Sequence, residues 1–176
     1  MYNAIASAHT TGIPGYSKSG CDCHAIYPDE NVTILIKGIP KEYKPNETYK
    51  LVIELYGPPQ GRGGFDLSVD KGKFVNVSED AKIFYDNEVL HISPFNNTWT
   101  VDWLAPQEKS GKVYFYISGN SVNGDGDMTG DKWNSAIYYS LEEGTIPKPK
   151  KKEKSSGFEA VALVSFFLIF YYLCKK

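Results

Sequence analysis

Apolar and polar residues alternate along most of this chain with the two-residue period of half-buried strands. Residues 31–37 read NVTILIK, with Val32, Ile34 and Ile36 on one face and Thr33, Leu35 and Lys37 on the other. Gly38-Ile39-Pro40 stops that run. A second strand is predicted over residues 48–56 (TYKLVIELY), entered through Pro45-Asn46 and ended by Gly57-Pro58-Pro59. Further strands are predicted over 64–69, 73–77, 81–85, 88–93, 98–104, 112–118 and 133–141. In the run 88–93, alternation places Val89 and His91 on one face and Leu90 and Ile92 on the other. No segment before residue 157 carries a helical period. The expectation is an all-β, antiparallel sandwich.

The pattern breaks at Thr145. Residues 145–156 are rich in lysine and proline and read as a linker that builds no core. Residues 157–174 are a mostly apolar run interrupted by Glu159, about 27 Å long as a helix and just sufficient to cross a bilayer. Five lysines precede it and two follow, which by the positive-inside rule alone would leave the β domain in the cytoplasm. The glycosylation sequons, the paired cysteines and the minimal tail oppose that, and a cell-surface location with the β domain outside is expected. Residues 1–10 contain Ala6-Ser7-Ala8 and are expected to be the remnant of an export signal. Residues 11–144 are then the sandwich domain.

Composition narrows the function. A formal charge of −2 gives no reason to expect a nucleic-acid partner. Asn-x-Ser/Thr sequons at Asn31, Asn46, Asn76 and Asn96 are more than chance supplies and point to glycosylation. His9, His24 and His91 are the full set of histidines, and no nucleophile, zinc-peptidase or phosphate-loop motif is present. Enzymatic activity is not expected.

The chemistry concentrates in Cys21-Asp22-Cys23-His24. Thiolate and imidazole suit soft and borderline metals, and a cysteine followed by histidine also ends the covalent haem motif. That motif has two residues between its cysteines, and this chain has one. One thioether from Cys23, with His24 as axial ligand, remains open beside a transition-metal site and beside a disulfide or plain thiols. His91 is the candidate second axial ligand, with a hydrogen-bonded histidine at the sandwich rim as the alternative. Asn123, Asp125, Asp127 and Asp131 occupy positions 1, 3, 5 and 9 of a glycine-rich loop resembling the start of a calcium site. Met128 and Asn134 depart from that pattern at positions 6 and 12, so a tight Asx and glycine turn is the leading reading and weak calcium binding the minority one.

Several stretches carry a family resemblance: Gly12-Ile-Pro-Gly15 before the cysteine cluster, Gly38-Ile-Pro with Tyr43, Pro45 and Tyr49, Gly63-Gly-Phe65, Trp99-Thr-Val-Asp-Trp103 with Ala105-Pro106, and Gly119-Asn120 leading to Asn123-Gly-Asp125-Gly. Together they resemble the choice-of-anchor V domain, which is similar to the reeler domain at the amino terminus of reelin-like extracellular proteins. The resemblance implies an immunoglobulin-like, reeler-like sandwich on a cell surface, and at Cys21 to His24 a sequence akin to haem attachment. Gly157-Phe158-Glu159-Ala160 and the following apolar run resemble the archaeal PGF-CTERM sorting signal, with Ser156 in place of proline. That implies an archaeal host and a membrane helix or lipid anchor.

Two functions follow. One is a non-catalytic surface module that meets an envelope glycan or protein, its Cys-x-Cys-His site holding a metal ion or haem. The other is an anchored monohaem electron carrier of the c type with a redox partner.

Overall fold

The computed structural model describes residues 11–145. The expected export remnant, most of the linker and the expected membrane helix lie outside these residues, and no helix among the described residues is long and apolar enough to cross a membrane.

Ten strands form: β1 (Thr33–Lys37), β2 (Glu42–Tyr43), β3 (Thr48–Tyr56), β4 (Gly63–Val69), β5 (Lys73–Val77), β6 (Ala81–Tyr85), β7 (Glu88–His91), β8 (Thr98–Leu104), β9 (Val113–Ser121) and β10 (Lys132–Glu142). They make a four-stranded sheet, in the order β1-β3-β8-β5, and a six-stranded sheet, in the order β2-β10-β9-β4-β7-β6. Pairing is antiparallel except at one edge, where β2 runs parallel to β10 through Leu141↔Glu42 and Glu142↔Tyr43. The purely antiparallel expectation is corrected there. Glu42–Tyr43 follows Gly38-Ile39-Pro40 and is too short to show a period of its own.

The two sheets face each other across one core. Ile34, Leu51, Ile53, Val101 and Trp103 from the smaller sheet meet Phe65, Leu67, Val113, Phe115 and Ile117 from the larger, and all are buried. Alternation in β1 puts Val32, Ile34 and Ile36 inside, as the sequence pattern requires. Trp103 packs edge-on against Phe115 at 4.9 Å and against Tyr43 at 5.6 Å between ring centroids. Its Nε1 donates to the Lys71 carbonyl at 3.2 Å, so its polar atom is paired as well.

The outer face of the larger sheet is also partly covered. Trp133 and Leu90 are buried yet lie outside the inter-sheet core. Their cover is the irregular segment leading from Thr11 to Tyr27. Gly20 there, at φ +88°, passes so close to the Trp133 ring that a Cβ would stand 2.1 Å from it, and Trp133 Nε1 donates to the Ala25 carbonyl at 2.7 Å.

Candidate functional site

The amino-terminal segment is clasped to the sheet by two buried acids. Asp66 on β4 accepts the backbone N–H groups of Tyr16 at 2.7 Å and Ser17 at 2.9 Å through Oδ2. Glu88 on β7 accepts that of Gly15 at 2.7 Å. Ser118 Oγ on β9 donates to the Tyr16 carbonyl at 2.9 Å. Burial first, and the Glu88 charge second, push the Asp66 carboxyl up to about 7.

Cys21 to His24 follow as a tight turn closed by the His24 N–H donating to the Cys21 carbonyl at 2.9 Å. Both thiols are free, Cys21 half-buried and Cys23 exposed. Burial, reinforced by Asp66, pushes the Cys21 thiol up to about 12. A sulfur so placed is disfavoured as a thiolate and comfortable as a neutral thiol or thioether.

His24 is oriented from the far end of the domain. Its Nδ1 lies 2.9 Å from Asp131 Oδ2, and Asp131 is buried. The other Asp131 oxygen accepts the Asn123 N–H at 2.9 Å. Within the glycine-rich loop, Asn123, Asp125 and Asp127 side chains each accept the backbone N–H two residues on, at 3.0, 2.8 and 2.8 Å. This is a run of Asx turns that presents Asp131 to His24. The sequence singled out Asp131 only as a position in a calcium-like loop.

His91 reaches the same place from the opposite side. After Leu90, which pairs with Asp66, β7 leaves β4, and the imidazole takes over the β4 edge. Its Nδ1 is 3.1 Å from both the N–H and the carbonyl of Phe65. Gly64 makes room, since a Cβ there would stand 2.2 Å from the ring. The side chain therefore departs from the face it would share with Val89, which stays in the core. Burial lowers the His91 pKa below its ordinary value, opposed by the Phe65 backbone hydrogen bond and aided by His24.

Cys21, Cys23, His24 and His91 line one cavity of about 610 Å³, within the range of about 300–1,000 Å³ typical of cofactor pockets. Its floor is the outer face of β4 and β9 around Gly64 and Asn120, and Ile13, Phe95, Val122 and Met128 make its walls largely apolar. Each histidine hydrogen-bonds through Nδ1, and in the tautomer whose Nδ1–H donates to Asp131 or to the Phe65 carbonyl, Nε2 carries the lone pair by which an imidazole ligates. Among the described residues, no three His, Cys, Asp or Glu side chains gather closely enough to hold a metal ion. Of the sequon asparagines, Asn31, Asn46 and Asn76 are exposed and Asn96 is half-buried.

The chain is similar to the reelin-N domain of F-spondin, at a TM-score of 0.49 and 19% identity over 66% of this chain and 88% of that one. It is likewise similar to the reeler domain of human F-spondin in two crystal structures, at TM-scores of 0.49 and 0.48 and identities of 19% and 22%. Those two matches cover 66% and 68% of this chain and 91% and 98% of the human chains. No protein-family model matches the chain, and no curated protein matches it by sequence.

Proposed function

We propose that this protein is a surface-displayed, membrane-anchored haem protein of the c type that carries electrons, built on a reeler-like sandwich. One observation carries the reading: Cys21, Cys23, His24 and His91 line a single apolar cavity, although up to 70 positions separate them in sequence.

The donor set suits a porphyrin better than a bare ion. Two imidazoles are few for an isolated metal, but they complete the coordination of an iron already held by a macrocycle. When bound, haem supplies a one-electron couple. The protein's own part would be to offer the imidazoles of His24 and His91 from two sides of the cavity, to shield the group with Phe95, Ile13 and Met128, and to tether it through Cys23 or Cys21. Asp131 keeps His24 in the tautomer that frees Nε2 and raises its basicity. The anchor is the segment 157–174, with the β domain outside.

A second reading, a non-catalytic attachment module, draws support from the uncovered part of the outer face. Tyr139 and Ile137 on β10 are exposed, and Lys112 Nζ sits 4.3 Å from the Tyr139 ring centroid. Such a face suits an anionic envelope glycan.

The test is the absorption spectrum, oxidised and reduced, of the full chain produced in a host that matures c-type cytochromes, followed by intact mass. A Soret band with a denaturation-resistant gain of one haem is expected. A colourless protein without the adduct would overturn covalent haem binding and leave the attachment module.

A further inference from the structure

Among the described residues, four buried side-chain polar atoms have no hydrogen-bond partner: Arg62 Nε, Asp66 Oδ1, Trp99 Nε1 and Asn120 Oδ1. Arg62, Asp66 and Asn120 all line the cavity. Folded proteins pair nearly all such atoms, because an orphan costs about 1–3 kcal/mol. The cavity is thus bordered by polar side chains as well as by apolar walls.

The orphans are ordered along the floor. The Val122 N–H donates to the Arg62 carbonyl at 2.9 Å, so Arg62 stands where β4 and β9 begin to pair. Gly64 then opposes Asn120, and Asp66 opposes Ser118. Arg62 and Asn120 therefore stand towards one end of the floor, and Asp66, which clasps the amino-terminal segment together with Glu88, towards the other. Arg62 forms no ion pair with a described carboxylate. Its guanidinium carbon is 5.9 Å from the Phe95 ring centroid, and a Cβ at Gly124 would stand 3.2 Å from Nη2. The guanidinium is thus placed by its neighbours and not neutralised by them. A permanent cation that lines a cavity with no described carboxylate beside it calls for an anion, and a carboxylate meets a guanidinium with two parallel hydrogen bonds.

We propose that Arg62, with Asn120 beside it, is a carboxylate subsite of the cavity. Resting on the haem reading above, the group it takes is a porphyrin propionate. Covalent attachment would then add a cysteine thiol across a vinyl group, joining sulfur to one vinyl carbon and the thiol proton to the other, and would consume no oxidant.

The full chain in detergent, produced without haem, would be titrated with iron protoporphyrin IX and with its dimethyl ester, following the Soret band for the wild type, Arg62→Ala and Arg62→Lys. The wild type is expected to prefer the diacid by about tenfold or more, as a charge-assisted bidentate bond supplies. Arg62→Ala should lose the preference while keeping its affinity for the diester, and Arg62→Lys should restore part of it. Equal wild-type affinity for diacid and diester, or a parallel loss of both in Arg62→Ala, would overturn the subsite and leave the haem reading standing. Absence of any Soret shift with either porphyrin in the wild type would overturn both. Thermal unfolding of each variant separates a lost subsite from a lost fold.

Discussion

His24 Nδ1 and Asp131 Oδ2 meet at 2.9 Å across 107 positions of sequence, joining the cysteine turn to the glycine-rich loop. The aspartate is buried and its second oxygen is spent on the Asn123 N–H, so it has little freedom to serve anything but the imidazole. Asp131→Asn keeps the shape and removes the charge. If the cavity holds haem as proposed, haem affinity of the chain should fall by about 10- to 100-fold and the midpoint potential should rise, because the less basic imidazole stabilises ferric iron less. Titration and redox potentiometry on the same samples check both. An unchanged potential would mean that Asp131 serves only the loop.

Gly64 and His91 make a second dependent pair. Gly64→Ala would drive a Cβ to within 2.2 Å of the imidazole and expel it from the edge of β4. Under the proposed haem function, the expected outcome is loss of the His91 ligand, seen as a change from a low-spin to a high-spin visible spectrum. Stability should fall by about 1–3 kcal/mol, the usual cost of overpacking, in denaturant unfolding.

Asp66 and Glu88 give the protein a pH dependence. The Asp66 carboxyl is raised from 3.8 to about 7, so the folded state binds a proton that the unfolded chain has released. The proton-linked stabilisation is complete below about pH 4 and is lost as pH rises towards 7. Asp66→Asn retains acceptors for the Tyr16 and Ser17 N–H groups and should flatten this part of the profile, with a gain of about 1 kcal/mol at pH 8. Chemical denaturation at pH 5 and pH 8 reads the difference. Equal slopes for wild type and variant would refute it.

Gly20→Ala is expected to unseat the amino-terminal segment. Both its φ of +88° and the Trp133 ring oppose a side chain. Hydrogen exchange should show faster exchange of the Tyr16, Ser17 and His24 amides, with the inter-sheet core protected as before. By contrast, Trp103→Ala strikes the core itself and should cost about 3–5 kcal/mol.

Most of the sandwich was legible because one face of each strand is buried, and burial of alternate residues writes itself into sequence. The bounds of β3, β5, β6 and β8 coincide with the apolar alternation. β9 runs on to Ser121, past Gly119 and Asn120, which resemble turn residues but continue to pair with β4 through Phe65↔Gly119 and Gly64↔Asn120. The four cavity residues Cys21, Cys23, His24 and His91 were visible from their chemistry. Their convergence was not, because it depends on an aperiodic segment lying over the outside of a sheet, where no repeat announces a contact. Arg62 gave no signal either: one arginine in a loop looks like any solvated cation until its Nε is found buried.

The clasp has a consequence for the time at which the site comes into being. Tyr16, Ser17 and His24 bond to Ser118 and Asp131, partners 101 to 107 positions later. At typical elongation rates of about 5–20 residues per second, roughly 5–20 s of synthesis separate them. The two sulfurs emerge among the earliest residues of the domain, and the floor beneath them is among the last parts to be made. Cys21 and Cys23 therefore stand uncovered while the rest of the domain is made, and the interval is set by the length of chain still to come rather than by fluctuations of the finished protein.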